Sequence, residues 1–216
     1  MAKNKINKEI ITEAALSILH EKGLANLTMR NLAANLKVKA PALYWYIKSK
    51  QEILQLLSEY ISSQIEYPEE SKDWEEEMTL LSLASRRAML SVPDGAEIMM
   101  DTLPVSKKRL YLINKAFEIF HRANFPEDKI FLSAILINSY VTSFVLDEQK
   151  QKKMIDEMGK EEIVNQFKGA ITAIPEDNIP HVYRYMLTPK TKLNDEESFL
   201  AGLRIILKGI KAEMDR

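Results

Sequence analysis

Cysteine is absent from this chain of 216 residues, and histidine and glycine are scarce, with three and six copies. Without cysteine the protein can form no disulfide, thiolate nucleophile or zinc ribbon, and an intracellular, reducing location is allowed. His20, His121 and His181 stand far apart without metal-ligand spacing, and there is no glycine-rich phosphate loop. No serine has an evident base nearby. We therefore expect no enzyme, no metal site and no cofactor.

Long apolar segments are also missing. No run approaches 18 uncharged apolar residues, and the opening residues MAKNKINKE lack the apolar core of a signal peptide. We expect a soluble cytoplasmic protein with no membrane partner. With 46% hydrophobic residues, the chain can still bury a sizeable core.

Charge is divided unevenly along the chain. Residues 1–50 hold nine Lys or Arg against three Glu, hence +6, whereas the other 166 residues carry a net −7. A basic end on an acidic body is typical of a protein that binds a polyanion with that end.

Two short helical patterns meet at a tight turn within the basic end. Met29, Leu32, Ala33 and Leu36 share one helical face, and Thr28 can cap its start. The chain then turns through residues 37–38. This spacing predicts a first helix that ends just before a turn.

The second pattern begins around Pro41, which is tolerated in a first helical turn. Leu43, Tyr44 and Ile47 are predicted to face inward. Small, aromatic and basic residues face outward, and such a mixture suits a helix that reads a DNA groove. Spacing alone equally allows a helical hairpin whose aromatic residues form a core. The basic charge favours DNA binding.

These residues carry a family resemblance. The first 57 residues, and especially TMRNLAANLKVKAPALYWYIKSKQEILQLL, resemble the DNA-binding domain of the tetracycline repressor (TetR) family of transcriptional regulators. The resemblance implies a three-helix head whose third helix enters the major groove, with Arg30 reading a base and Lys50 meeting a phosphate. The predicted DNA-binding residues are Thr28, Arg30, Lys39, Ala40, Pro41, Ala42, Tyr44, Trp45, Tyr46, Lys48 and Lys50.

The chain departs from the family pattern at two positions. Lys37 stands where the turn usually has glycine, and Lys39 stands where the helix cap is usually Ser or Thr. A left-handed conformation at Lys37 costs roughly 1–2 kcal/mol, and a lost hydroxyl cap costs about 1 kcal/mol. Both replacements add a cation, so we hypothesise that stability was exchanged for phosphate affinity.

The rest of the chain predicts helices throughout. A capping box from Ser49 to Glu52 begins a connecting helix, and Pro68 marks a boundary. We predict an all-α protein with a helix-turn-helix DNA-binding domain at 1–67, which includes the connecting helix from 49, and a helical ligand-binding and dimerisation domain at 68–216. Helices are expected at 74–91, up to 102, at 107–124, from 127 to about 152 and at 194–214, with broken helix and loop at 154–193.

The body resembles the tetracycline repressors more weakly. Where those proteins bind the drug's magnesium with a histidine, this chain has Met99, and Leu81 and Ser85 replace an amide and a ring that hold the drug. A thioether is a poor magnesium ligand, so we expect a larger and more apolar effector without magnesium. Each of these apolar residues also suits an ordinary core, and the amide of Asn138 needs either a ligand or an internal partner. The predicted ligand-binding residues are Leu81, Ser85, Met99, Thr102, Ile113, Phe117, Ile135 and Asn138.

Gly202 and Gly209 lie seven residues apart in the last helix, where each costs roughly 1 kcal/mol relative to alanine. Close approach of another helix would compensate, although Gly209 also lies near a helix end that can fray. We hypothesise a homodimer through 127–150 and 194–214. The predicted function is a dimeric, ligand-responsive regulator that binds double-stranded DNA at a palindromic operator and is released by a small, largely apolar molecule. The alternative is a helical interaction protein that binds nucleic acid without sequence specificity.

Overall fold

The computed structural model describes residues 6–186 and 195–214, which form eleven α-helices and contain no strand. The predicted all-α fold is confirmed. Asn194, part of the predicted cap of the last helix, lies outside the described residues. The helices are α1 (Lys8–Lys22), α2 (Met29–Asn35), α3 (Ala40–Leu43), α4 (Lys50–Ser63), α5 (Trp74–Leu90), α6 (Gly95–Met100), α7 (Lys107–Arg122), α8 (Glu127–Met158), α9 (Lys160–Thr172), α10 (Pro180–Met186) and α11 (Glu196–Met214).

The N-terminal helices form a small head around α1. The side chain of Asn7 accepts a hydrogen bond of 2.9 Å from the amide of Ile10, which satisfies one of the free N–H groups at the start of α1. Gly23 ends the helix at a φ of +74°, a conformation that favours glycine. The apolar face of α1 is buried against α2 and α4. The head therefore shares its core with the first turns of α4.

Helix α4 connects the head to the body. Ser49 Oγ accepts a hydrogen bond of 3.2 Å from the amide of Glu52, as the capping box predicts. The Glu52 carboxylate, however, accepts from the amide of Lys48 at 2.8 Å, one residue earlier than in a standard capping box. Further along, α4 contacts α5, α6 and α7. One continuous helix thus touches both parts of the molecule.

Helix α8 is the centre of the body and packs against α5, α6, α7, α9 and α11. Its Gln149 side chain accepts a hydrogen bond of 3.0 Å from the amide of Ala96 and donates to the carbonyls of Met89 and Val92 at 3.2 and 2.9 Å. Its Glu148 pairs with Arg86 of α5 at 2.8 Å. These contacts fix the turn between α5 and α6 against α8.

The long C-terminal part of α8 was not predicted. The helix continues to Met158 instead of ending near residue 152, and it stops where Gly159 adopts a φ of +82°. Helix α9 then occupies 13 residues of the tract predicted to be broken helix and loop. The predicted break is present at Gly159, but the helix content of this tract was underestimated because residues 150–172 are mostly good helix formers, with glycine as the only interruption before residue 169.

Helix α8 is also the one described helix that is long and apolar enough to cross a membrane, with a mean hydropathy of 1.6 over 18 residues. Length and composition alone are weak support for such a role, because packed helices of soluble proteins share them. The absence of a membrane partner stays a prediction.

The glycines of α11 differ in their surroundings. A Cβ atom on Gly202 would lie 2.2 Å from the Tyr140 hydroxyl, whereas one on Gly209 would meet nothing within 4 Å. The Tyr140 hydroxyl donates to the carbonyl of Phe199 at 2.8 Å. Gly202 therefore allows α8 of the same chain to approach closely, so the predicted close approach of another helix is found and needs no dimer partner.

Candidate DNA-binding surface and effector cavity

The turn between α2 and α3 has the geometry expected of a helix-turn-helix. Thr28 Oγ1 accepts a hydrogen bond of 3.1 Å from the amide of Asn31 and caps α2. Lys37 adopts the left-handed conformation with a φ of +55°, and the amide of Val38 then donates to the carbonyl of Ala33 at 3.0 Å. Lys39 precedes α3 without making a side-chain cap. Both unfavourable features inferred from Lys37 and Lys39 are therefore present.

Helix α3 is short and depends on its neighbours for stability. Leu43 and Ile47 are buried and anchor this segment against the head. Tyr44 was predicted to face inward as well, but its side chain is 45% exposed. Helix α3 ends at Leu43. The two buried residues, Leu43 and Ile47, lie four positions apart, whereas Tyr44, directly after Leu43, points outward.

The outward surface of the head combines rings with cations. Trp45 is 82% exposed, and Tyr44 and Tyr46 are also exposed. All eleven predicted DNA-binding residues are exposed except Ala40, which is half-buried. The Lys48 ammonium group donates to the carbonyl of Tyr44 at 2.7 Å and so caps the recognition segment from its C-terminal side. The head therefore exposes both aromatic rings and cations at the predicted DNA-binding positions.

A cavity of about 280 Å³ lies in the body between α4, α5, α6, α7 and α8. Most of its wall is aliphatic, aromatic or methionine. Seven of the eight predicted ligand-binding residues line it, namely Leu81, Ser85, Met99, Ile113, Phe117, Ile135 and Asn138. Thr102 does not line it: the side chain is buried and its hydroxyl donates to the carbonyl of Ile98 at 2.8 Å.

Sequence reasoning missed several residues of the cavity wall. Ile61 of α4 and Ile65, two residues after the end of α4, line it, although their spacing of four residues could have placed them on the inner face. Arg109 of α7 lines it too, and burial lowers the pKa of its guanidinium group. Phe131 and Ile135 are exposed and mark the side on which the cavity opens. The cavity therefore borders on the helix that enters the DNA-binding head.

A polar seam joins α4 to residues 101–108, the segment between α6 and α7 together with the start of α7. The side-chain amides of Gln51 and Gln55 donate to the carbonyls of Asp101 and Leu103 at 2.8 and 3.2 Å. The Glu59 carboxylate accepts from the amide of Lys108 at 3.0 Å. These three α4 residues are spaced by four, so they form one stripe along the helix. Movement of residues 101–108 must therefore strain or break contacts with α4.

Within residues 6–186 and 195–214, no group of three His, Asp or Glu side chains could hold a metal ion. The cavity presents Met99 where the resemblance to the tetracycline repressors predicts a metal-binding histidine in those proteins. The wall is instead suited to an organic molecule.

A helix-turn-helix head, an internal cavity and one helix shared by both define a DNA-binding regulator of transcription that senses a small molecule. Comparison with known proteins identifies the family. The model for bacterial regulatory proteins of the tetR family matches residues 11–57, and the model for the tetracyclin repressor-like C-terminal domain matches residues 67–214. The chain belongs to the TetR family of transcriptional regulators, and it is not an enzyme.

Known relatives span nearly the whole chain. The class D tetracycline repressor protein of Escherichia coli is 24% identical over 213 residues, which cover 97% of this chain and 91% of that protein. The crystal structure of ActR from Streptomyces coelicolor in complex with actinorhodin has a TM-score of 0.83 at 24% identity and covers 99% of this chain and 98% of that chain. BioQ with its double-stranded DNA operator has a TM-score of 0.65 at 28% identity and covers 75% and 98%.

Proposed function

We propose that this protein is a dimeric repressor that binds a palindromic operator and is released when a small, largely apolar molecule fills the cavity. The observation that carries the proposal is the position of α4. Ile61 and Ile65 line the cavity, while Ile53 and Leu57, two turns earlier, are buried in contact with the head. A molecule in the cavity therefore presses on the element that orients the recognition helices. Because its partner is DNA, we place the protein in the cytoplasm.

The proposed mechanism is a shift between two conformations of the body. Effector binding moves Met99 and Pro104, which line the cavity at either end of residues 99–104. The seam from Gln51 and Gln55 passes that movement to α4, and the spacing of the two heads in the dimer changes. Two-fold operators have half-sites about one helical turn apart, so a change of a few ångströms in that spacing lowers affinity.

The proposed dimer pairs α8 and α11 of one protomer with those of its partner, within the predicted ranges 127–150 and 194–214. Leu132 and Leu136 of α8 and Ile205 of α11 are exposed although they are large and apolar. Such residues on packed neighbouring helices are typical of an interface between subunits. Dimerisation is what gives the two heads the symmetry of a palindromic site.

The nature of the effector follows from the wall of the cavity. Leu81 and Met99 offer no oxygen or nitrogen ligand for a hard cation, and the Ser85 hydroxyl is neutral and already donates to the carbonyl of Leu81, so we propose that the effector binds without magnesium. ActR, with the same fold, has been solved in complex with actinorhodin. Methionine-rich walls adapt to ligands of different shapes.

Selection of bound duplexes from a random DNA library tests the proposed function. We expect the purified protein at physiological salt to enrich a palindrome. Binding without enrichment, and weakened steeply by salt, would instead support the alternative of a non-specific nucleic-acid binder. The basic head alone would suffice for that activity.

Arg30→Ala separates the two functions further. A sequence reader should lose about 1–3 kcal/mol of discrimination at one operator position, whereas a non-specific binder should weaken equally on every sequence. Lys22→Ala removes one positive charge from the head outside the predicted DNA-binding residues and serves as the control. It should leave the selected sequence unchanged.

A further inference from the structure

Arg109 is the one cationic side chain among the described residues that line the cavity. The few other polar groups there are neutral. Two of them, Ser82 and Ser85, already donate to carbonyls of their own helix, those of Met78 and Leu81, at 2.7 and 2.8 Å. The cavity thus combines an apolar wall with a single positive charge.

The guanidinium group of Arg109 is held in place by neutral acceptors only. Its Nη1 donates to the carbonyl and to the hydroxyl oxygen of Thr102, both at 2.8 Å. In the part of the chain that the structure describes, no carboxylate forms an ion pair with Arg109. A guanidinium group has five N–H donors, so several remain for another partner. Its charge is partly desolvated and is not neutralised.

Helix stability does not explain why a cation occupies this position. Arg109 lies in the first turn of α7, after Lys107 and Lys108, and that turn contains no acidic residue. Cations near a helix N-terminus oppose the helix dipole, so the placement is unfavourable for α7 itself. The amide of Lys108 is already satisfied by Glu59. Apart from its hydrogen bonds to Thr102, Arg109 has no anionic partner among the described residues.

We infer that the effector is an apolar organic anion, whose hydrocarbon body fills the methionine-rich cavity and whose carboxylate, sulfonate or phenolate oxygen binds Arg109. This inference rests on the proposed function in taking the cavity as the effector site. The planar guanidinium fork forms charge-assisted hydrogen bonds to anionic oxygens, and these strengthen where water is excluded. Arg109 is then the residue that selects an anion over a neutral molecule of the same shape.

The test uses two fluorescent probes with the same ring system. 8-Anilinonaphthalene-1-sulfonate carries a sulfonate, and N-phenyl-1-naphthylamine is its uncharged counterpart. Each is titrated into the full-length protein, the Arg109→Gln variant and the Arg109→Lys variant. We expect the wild type to bind the sulfonate about 10-fold to 100-fold more tightly than the neutral probe. Arg109→Gln should abolish that preference without weakening the neutral probe, and Arg109→Lys should keep part of it.

Ala116→Phe provides the control for location, because Ala116 also lines the cavity and a larger side chain there fills it. This variant should weaken both probes together. Equal affinities of the two probes for the wild type, an unchanged preference in Arg109→Gln, or tight binding of both probes to Ala116→Phe would each overturn the inference.

These titrations contain no DNA, so their outcome is independent of whether an operator exists. A protein that prefers the sulfonate through Arg109 but enriches no palindrome would contradict the proposed function alone. A protein released from its operator equally by neutral and anionic molecules would contradict the anion inference alone.

Discussion

The backbone amide of Leu24 donates a hydrogen bond of 2.8 Å to Oδ2 of Asp94, which lies 70 residues further along the chain. Leu24 belongs to the DNA-binding head, and Asp94 immediately precedes α6 in the body. Asp94 has a left-handed backbone with a φ of +56°, and its side chain makes no cap to its own helix. The carboxylate that would normally cap α6 is instead committed to the head.

Asp94→Ala should therefore weaken the attachment of the head to the body. The variant leaves the Leu24 amide without a partner. It also places alanine, which has no polar side chain, in the left-handed region. We expect a loss of about 2 kcal/mol in the free energy of unfolding. Hydrogen exchange of the Leu24 amide should also become faster. Asp94→Asn is the matched control, because asparagine tolerates this backbone and keeps an acceptor oxygen. Equal stability of the wild type and Asp94→Ala would show that the contact is unimportant.

The sequence could predict the parts of this fold whose signals are local. The caps at Thr28 and Ser49 follow from residue type and helical spacing, and both are formed. The left-handed turn at Lys37 follows from the position that the resemblance assigns to it. These features need only a few consecutive residues.

Contacts between distant segments left no readable pattern. Nothing near Asp94 indicates a partner 70 residues earlier, and nothing in the sequence distinguishes Arg109, which lines the cavity, from the exposed Lys107 and Lys108 beside it. Gly202 shows the same limit: its cost within a helix predicts a close neighbour but cannot say that the neighbour is Tyr140 of the same chain. The family relationship supplied the predicted cavity residues, and the structure supplied the arginine among them.

The seam between α4 and residues 101–108 predicts coupling between the DNA and the body. In the wild type, binding of a selected operator duplex should slow hydrogen exchange in residues 101–108, because Gln51 and Gln55 hold that segment to α4. The double variant Gln51→Ala, Gln55→Ala should still bind the duplex, but binding should not slow hydrogen exchange in residues 101–108.

Gln64→Ala is the control for the seam, since Gln64 caps the other end of α4 and its side chain bonds only the neighbouring Ser63 among the contacts described. It should transmit protection as the wild type does. If the double variant still protects residues 101–108, the signal does not pass through these two glutamines.

The strained turn at Lys37 predicts opposite effects on stability and on DNA binding. Lys37→Gly should raise the free energy of unfolding by about 1 kcal/mol, because glycine adopts the left-handed conformation without strain. If Lys37 contacts a phosphate, the slope of log affinity against log salt should fall by about 0.9. Lys39→Ser tests the neighbouring cation in the same way. Lys160→Ser, an exposed lysine of the body, controls for a general charge effect. Unchanged slopes in both head variants would contradict the hypothesis that these two lysines lower stability but raise the affinity for phosphates.

The hydroxyl of Tyr67 is buried without a hydrogen-bond partner in the described residues, and its ring packs edge-on against Tyr111 at 4.9 Å. Burial, with smaller contributions from Tyr111 and Glu59, raises the pKa of the Tyr67 phenol. Folding therefore favours the neutral phenol. The free energy of unfolding keeps the full contribution of this preference below the unfolded pKa of about 10 and loses it as the pH rises above that value.

Tyr67→Phe should consequently be neutral or stabilising by up to about 1 kcal/mol at neutral pH. Its advantage over the wild type should widen above about pH 10. Guanidinium unfolding on either side of that pH measures both effects, with Tyr46→Phe on the exposed head surface as the control. A wild type that is more stable than Tyr67→Phe at high pH would contradict the assignment.

The exposed apolar residues of α8 and α11 give the proposed dimer its sharpest test. Ile205 is 74% exposed and Leu136 is 47% exposed, and a glutamate at either position would bring two like charges into a buried interface. We expect Leu136→Glu and Ile205→Glu to sediment as monomers at micromolar concentration where the wild type is a dimer.

Operator affinity should fall by about 100-fold or more, since the two heads no longer bind as one unit. Leu110→Glu, at a similarly exposed leucine of α7, should leave the dimer intact. A wild type that is itself monomeric, or glutamate variants that still dimerise, would place the interface elsewhere and remove the proposed symmetry between the protein and a palindromic operator.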